Sequence, residues 1–248
     1  MNLPSTSLFA FLVLAPAVTG CAPTDAIPPT NTAVLLETPA TLGEGRQSVE
    51  ATVATSSGLF GPGVSAGTVA YMRGVSNHVD VGVAPTVQSF SGGSSSPRID
   101  GFQESYGYAY GADARVKVNP FDSKHVAIFG SLGGAYNHYA TFASGSAGVS
   151  IGYDNDYVVP FVDLVAYGSV PLAREAFTYR SNLMSSSSTA TPRTIEPSTT
   201  YGGIVSAGLA VKATKAVSIK AAMHRAEARS ETDTLGAFGA AASLDVTF

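Results

Sequence analysis

The stretch YGYAYGADARVKV, residues 106–118, decides the fold class of this sequence. Its even-numbered positions carry Tyr, Ala or Val, whereas its odd-numbered positions carry Gly, Ala, Asp, Arg or Lys. Such alternation predicts a β-strand with one apolar face and one mostly polar face. The stretch exceeds the roughly five to six residues usual in globular sheets, and it is long enough for a membrane crossing, which takes about 9–11 residues.

The same alternation recurs from Gln47 to the final residue. It closes the chain with Phe, Ala, Ala, Leu, Val and Phe at the even positions 238–248. We predict ten strands, and because the first two have the weakest pattern, eight strands is the alternative. The predicted strands cover residues 47–55, 65–73, 78–87, 105–118, 125–137, 145–153, 157–170, 200–212, 216–227 and 235–248.

The connections between these strands alternate in length. Residues 74–77, 119–124, 154–156 and 213–215 form short turns, whereas 88–104 and 171–199 are long and rich in Gly, Ser or Pro. With ten strands running up and down, the short turns share one end and the long loops the other, as in membrane barrels. The sequence therefore predicts an all-β, antiparallel, up-and-down transmembrane β-barrel.

Composition narrows the class of protein. Charged residues make up 13% of the 248 residues, about half the share of a typical soluble domain, while hydrophobic residues make up 45%. No run approaches the roughly 18 consecutive apolar residues of a membrane-spanning helix. A net charge of −4 argues against nucleic acid as a partner.

Residues 1–20 carry no charged side chain, and residues 8–15 form an apolar run typical of a signal peptide. Val18-Thr19-Gly20-Cys21 follows and resembles the lipobox of bacterial lipoproteins. That resemblance implies lipid attachment at Cys21, the only cysteine; the alternative is an ordinary signal peptide beside a chance cysteine. Residues 21–46 hold several prolines and are predicted to be the lipidated N-terminus and a flexible periplasmic tether.

Residues 47–248 resemble the small bacterial outer-membrane β-barrels. The C-terminal Leu244, Val246 and Phe248 are similar to the assembly signal of that family, which ends in Phe at the last position. The resemblance implies a monomer in the outer membrane, inserted by the assembly machinery, with its N-terminus in the periplasm. Outward aromatics are then expected at two heights: Tyr106, Tyr108, Tyr136, Tyr201 and Phe238 near the outer rim, and Tyr71, Tyr153 and Phe248 near the inner rim.

Charged residues of inward parity are balanced in sign, so we expect them to pair inside the lumen. The predicted network contains His78, Asp80, Asp113, Arg115, Lys117, Asp163, Lys212, Lys220, His224 and Asp245. Because the other inward residues are mainly small, either a lumen plugged by its own side chains or a narrow channel is compatible with the sequence.

Signals of catalysis and of metal binding are weak. Residues 63–67 and 148–152 match Gly-x-Ser-x-Gly, but neither precedes the helix that this nucleophile motif requires. No histidine pair has the spacing of metal ligands. We therefore predict no catalytic residue, no metal and no cofactor.

The overall prediction is a non-enzymatic outer-membrane barrel with a structural or surface-interaction role and Ser/Thr/Pro-rich extracellular loops. Outward-facing Arg225 is predicted to contact the phosphorylated glycolipid of the outer leaflet, because guanidinium binds phosphate well. Two alternatives stay open: a narrow porin-like channel for small solutes, and a lipid-tethered soluble β-sandwich that binds a ligand.

Overall fold

A computed structural model describes residues 36–57, 63–91, 108–121, 124–137, 140–174, 177–180, 192–195, 197–230 and 234–248. Most of them belong to long antiparallel strands. These are β1 (Gln47–Ser57), β2 (Gly63–Gly74), β3 (Val79–Ser91), β4 (Tyr108–Val118), β5 (Val126–Asn137), β6 (Ala140–Gly152), β7 (Val158–Arg174), β10 (Thr200–Lys212), β11 (Val217–Arg229) and β12 (Thr234–Thr247). Two short strands, β8 (Phe177–Arg180) and β9 (Pro192–Ile195), form a separate two-stranded sheet.

The ten long strands close into one barrel. Each pairs with its neighbour in the chain, and β1 pairs with β12 from Ser48 opposite Thr247 to Ser57 opposite Phe238. Closure leaves no unpaired strand edge, which is the state that a lipid environment requires. The predicted ten-stranded up-and-down barrel is confirmed, and the soluble β-sandwich alternative is wrong because one closed sheet contains all ten long strands.

The barrel has two ends that differ in their connections. The turn end holds the described residues 75–78, 119–121, 124–125, 153–157 and 213–216, together with Gln47 at the start of β1 and Phe248 after β12. The loop end holds the other five connections, including the one from β7 to β10 that contains β8 and β9.

Most strand ends shift by one to four residues from the sequence prediction, and two differences are larger. β6 begins at Ala140 rather than at residue 145, because Phe142 is fully buried in the lumen and extends the alternation past a β-bulge at Thr141. The β8–β9 hairpin lies within residues 171–199, which were predicted to be a connection without strands.

The outer surface of the barrel is apolar between its two rims. Val53 is 65% exposed and Leu132 is 76% exposed, and Val, Leu, Ile and Ala fill most outward positions of the other strands. So large an exposed apolar surface is unusual for a soluble monomer and is expected where lipid covers it. The outward aromatics Tyr108, Tyr136, Tyr201 and Phe238 lie toward the loop end, and Tyr71, Tyr153 and Phe248 lie toward the turn end. Tyr106 lies outside the described residues.

Among the described residues, no helix is both long enough and apolar enough to cross a membrane.

The lumen is filled on one side by large rings that pack on glycines. Phe129, Phe161, Tyr167 and His224 point inward, and each is the direct cross-strand partner of a glycine. Their partners are Gly148, Gly208, Gly202 and Gly239 respectively. A methyl group at any of these glycines would collide with the facing ring. Phe129 and Tyr167 also join Val165 and Ile204 in an apolar cluster.

Candidate functional site in the lumen

The chain before β1 runs into the barrel from the turn end. Gly45 donates its N–H to the carbonyl of Gly74 (2.9 Å), and Thr41 donates its hydroxyl to the carbonyl of Asn77 (2.8 Å). Leu42 lies further in and donates its N–H to both carboxylate oxygens of Asp80 (3.1 and 3.0 Å). We call residues 36–42 the lumen segment, because they occupy the interior of the wall.

This placement corrects one sequence prediction. Residues 21–46 were predicted to be a flexible tether, but residues 36–42 of that range are held in the lumen by hydrogen bonds and by an apolar cluster. The physical reason is that Leu36 offers an apolar side chain and Glu37 a charge, and the lumen holds a complementary partner for each. Residues 1–35, which include Cys21 and the predicted signal peptide, lie outside the described residues.

Leu36 anchors the inner part of the lumen segment. Its side chain is 2% exposed and packs with the inward residues of β1, β7, β10, β11 and β12. The pocket is formed by Ala54, Val159, Phe161, Ala210, Ala222 and Ala241. Burial of a leucine side chain contributes about 1.5–3 kcal/mol, so this one residue is a substantial part of the docking free energy.

Glu37 is the charged centre of the lumen segment. Its carboxylate accepts a hydrogen bond from Lys117 Nζ (3.2 Å), its carbonyl accepts one from Ser150 Oγ (3.0 Å), and its N–H donates to Asp163 Oδ2 (3.2 Å). Burial alone would raise the pKa of the Glu37 carboxyl. The positive charges of Lys117, Lys220 and Arg115 and the hydrogen bond from Lys117 outweigh burial and hold this pKa below its usual value of 4.5.

Lys220 on β11 joins the lumen segment to the barrel wall. Its Nζ donates to the carbonyl of Leu36 (3.0 Å) and to Glu50 Oε2 (2.8 Å), and it lies 3.9 Å from Asp245 Oδ2. A buried ammonium is costly without partners; here two hydrogen bonds and the nearby charge of the Asp245 carboxylate compensate it.

The structure places most of the predicted network in the lumen. Inward and largely buried are Asp80, Asp113, Arg115, Lys117, Asp163, Lys220, His224 and Asp245. Asp113 and Arg115 pair with each other along β4 (2.8 Å). Lys212 lies nearer the rim and pairs with Asp154 in the adjacent turn (2.6 Å).

The assignment of His78 to this network is wrong. β3 begins at Val79, so His78 belongs to the exposed turn before it, where its carbonyl accepts the N–H of Asn119 (2.8 Å). The prediction extended the inward parity one residue past the start of the strand. Side chains alternate only within a strand, so parity does not fix the direction of His78 in the turn.

A row of polar side chains crosses four neighbouring strands. Register places Ser150, Asp163, Ser206 and His224 side by side on β6, β7, β10 and β11, and all four are buried. Within the described part of the chain, Asp163 Oδ1, Ser206 Oγ and His224 Nδ1 have no hydrogen-bond partner. Ser150 and Asp163 hold the lumen segment, which therefore lies against one end of the row.

Two further sequence signals acquire a structural meaning. The serines of the two Gly-x-Ser-x-Gly matches are Ser65, exposed on the outer face of β2, and Ser150, buried on the inner face of β6. Each lies within a strand, which is not the strand-to-helix turn of a nucleophile elbow. Among the described residues, no group of His, Cys, Asp and Glu could hold a metal ion.

Arg225 lies on the outer face of β11 toward the loop end. It pairs with Glu227 (2.6 Å), and its guanidinium lies over the ring of its cross-strand partner Phe238, 5.4 Å from the centroid. At the opposite end, Leu244, Val246 and Phe248 are exposed on the outer face of the last strand and the residue that follows it.

No protein-family model and no curated protein matches this sequence. Solved structures do match. The N-terminal β-barrel domain of Pseudomonas aeruginosa OprF is 10% identical, over 82% of this chain and 98% of that chain, with a TM-score of 0.32. Ail, the attachment invasion locus protein of Yersinia pestis, is 12% identical over 82% and 99% of the two chains, with a TM-score of 0.32. The outer membrane protease OmpT of Escherichia coli is 10% identical over 88% and 100%, with a TM-score of 0.35. At these identities and scores, the function must be inferred from the residues of this chain.

Four site residues escaped the sequence prediction, and one of them, Glu50 on β1, has inward parity but was not included in the network. Leu36 and Glu37 lie in a segment without strand periodicity, and Ser150 was considered only as part of a catalytic motif. A signal for Leu36 and Glu37 does exist: an apolar residue followed by a carboxylate stands out in a stretch otherwise rich in Pro and Thr.

Proposed function

We propose that this protein is a bacterial outer-membrane β-barrel that is closed at rest by its own N-terminal segment. Its role is non-enzymatic: it is structural, or it presents the Ser/Thr/Pro-rich loop end to the surroundings of the cell. The observation that carries the proposal is the combination of an apolar outer surface with a lumen occupied by residues 36–42. A wall that faces lipid and an interior that is filled suit a membrane protein without a permanent pore.

The two ends of the barrel support one orientation. Short connections face the periplasm in barrels of this kind, so the turn end and the lumen segment face the periplasm and the loop end faces outward. We further propose that Cys21 carries lipid on the periplasmic side and that the barrel is a monomer. Metabolic labelling of the protein with a tritiated fatty acid tests the lipid: label in the natural chain and none in Cys21→Ser is expected.

The proposal has a direct test in two steps. Membrane-extracted protein is first run on an SDS gel with and without boiling, and a difference in mobility is expected because a closed barrel resists cold SDS. Purified protein is then placed in a planar bilayer, where we expect long closed periods. A gel without a shift would overturn the membrane barrel, and steady conductance would overturn the closed resting state.

Insertion depends, in our proposal, on the C-terminal Leu244, Val246 and Phe248 as a signal to the assembly machinery. Phe248→Ala should lower the amount of heat-modifiable protein in the outer membrane. Phe121→Ala is the matched control, since Phe121 is equally exposed at the turn end but lies in the β4–β5 connection. Equal loss for both variants would show that the effect is general destabilisation.

A further inference from the structure

We propose that the lumen segment is a displaceable plug, and that the lumen conducts small cations when the plug leaves. This inference goes beyond the closed resting barrel proposed above. It rests on the contacts that attach residues 36–46 to the barrel, on the charged side chains of the wall that these residues cover, and on the side chains that line the lumen between the segment and the loop end.

The lumen segment is held by contacts that can break and form again. Within the described part of the chain, no backbone–backbone hydrogen bond joins residues 36–42 to a strand. The polar contacts run instead to barrel side chains, or from Thr41 to the carbonyl of Asn77, and water can replace each of them. One leucine supplies the apolar anchor.

A hinge lies between the lumen segment and the barrel. Gly43 and Gly45 have φ angles of 88° and 79°, a region that glycine adopts without steric cost. Hinges of lids and flaps consist of a few such residues that absorb a change in backbone angles. The segment can therefore swing toward the turn end while β1 stays in the sheet.

Departure of the plug would leave a lumen wall with excess negative charge. Five inward carboxylates then face three inward cations in this part of the barrel. The acids are Glu50, Asp80, Asp113, Asp163 and Asp245, and the bases are Arg115, Lys117 and Lys220. A narrow passage lined by net negative charge concentrates cations and repels anions.

The lumen above the plug has one polar wall. The apolar cluster of Phe129, Val165, Tyr167 and Ile204 belongs to β5, β7 and β10. The far side, formed by β1, β2 and β3, instead presents Thr52, Thr68, Thr86 and Gln88, and the hydroxyls of Thr68 and Thr86 are 2.9 Å apart. Hydroxyl and amide groups can coordinate a hydrated cation along that wall.

The test reverses one charge on the plug and leaves the barrel unchanged. Glu37→Lys places a cation beside Lys117 and Lys220, so the segment should be expelled and the open fraction in a planar bilayer should rise at least about tenfold. In a KCl gradient, the reversal potential should shift toward that of K⁺. Glu44→Lys is the matched control: it makes the same charge change just after the lumen segment, where the side chain is exposed at the turn end.

A second measurement follows the plug without relying on conductance. In a Cys21→Ser background, Pro39→Cys places a single thiol at another fully buried position of the lumen segment and leaves the Leu36 anchor intact. A membrane-impermeant maleimide should label it slowly in the otherwise natural chain, and at least about tenfold faster when Glu37→Lys is added. Heat-modifiability on an SDS gel checks that each variant has formed the barrel.

Labelling reports whether the lumen segment leaves, and conductance reports whether the emptied lumen passes cations. Fast labelling with cation-selective steps supports the proposal. Fast labelling without conductance, or with anion selectivity, would overturn the conducting lumen, and unchanged slow labelling in a correctly formed Glu37→Lys barrel would overturn the displaceable plug. These outcomes do not depend on whether the natural barrel is closed at rest. The conductance of the natural chain in a planar bilayer tests that closure separately.

Discussion

Phe161 lies directly over Gly208. The two residues are cross-strand partners on β7 and β10, and a methyl group at Gly208 would lie 2.8 Å from Cζ of the ring. The same ring forms part of the Leu36 pocket, so this glycine supports the site on which the plug rests.

Gly208→Ala should therefore destabilise the barrel. The added methyl group would also meet Cβ of Ala222 at 2.6 Å, and overpacking of this kind costs about 1–3 kcal/mol. The midpoint of urea unfolding in lipid vesicles, followed by far-ultraviolet circular dichroism because the chain has no Trp, measures the loss. Gly67→Ala is the control, since no atom lies within 4 Å of the position of its new methyl group; equal midpoints for the two variants would contradict the packing argument.

Lys220→Met should lower the stability of the barrel more than Gly208→Ala does. The substitution keeps most of the volume but leaves Glu50 and Asp245 without their cation and the carbonyl of Leu36 without its donor. Removal of one partner from a buried ion pair costs about 3–5 kcal/mol. Lys215→Met, in the exposed β10–β11 turn, should leave the unfolding midpoint nearly unchanged. A Lys220→Met barrel as stable as the Lys215→Met barrel would show that the lysine is not needed to neutralise the wall.

Acid should weaken plug docking. The pKa of Glu37 is lower in the docked segment than its usual value of 4.5, so docking gains stability from the charged carboxylate above that value. This gain is lost as the pH falls through the lower, docked pKa. Lys117, Lys220 and Arg115 are the cations that face this carboxylate. Asp80 and Asp163 accept N–H groups of the lumen segment, and their protonation in acid would weaken these hydrogen bonds and so also favour release.

Methyl-labelled leucine in micelles reports this transition by NMR. The Leu36 methyl signals, shifted in the pocket that contains Phe161, should move toward exposed values only at acid pH. Those of Leu132, on the outer surface, should stay constant. In Glu37→Gln the pH dependence should flatten, and an unchanged titration there would assign the transition to the other carboxylates.

Arg225→Ala tests the proposed contact with outer-leaflet glycolipid. Arg225 is partly exposed on the outer face beside Glu227, so a phosphate could replace or join that partner. We expect the variant to lose thermal stability in glycolipid micelles relative to neutral detergent. Arg73→Ala, outward at the turn end of β2, should show no such difference. If Arg225→Ala behaves alike in both micelles, the lipid contact is wrong.

The sequence predicts the wall of the barrel better than its contents. Period-2 alternation places Asp163, Lys220 and His224 on the inner face, because in a strand parity alone decides the direction of a side chain. It fails at His78, one residue outside β3, and at residues 140–144, which were left out of the predicted strand but begin β6.

Partners inside the lumen lie beyond the reach of periodicity. Glu37 meets Lys117, 80 residues away, and Leu36 meets Lys220, 184 residues away. Neither pair follows from local spacing, since only closure of the barrel brings the strands around the segment. The ring-on-glycine pairs are likewise set by register, which the sequence does not state.

The seam between β1 and β12 has a consequence for the order of folding. Every other pair of neighbouring long strands is consecutive or separated only by the β8–β9 hairpin, whereas the seam joins Ser48 to Thr247. Loop closure of that length adds little to the entropy cost, since each doubling costs only about 0.6 kcal/mol, but such distant contacts form late. β1, the first strand of the seam, begins within a few residues of the lumen segment, so the same short stretch of chain both closes the barrel and fills it.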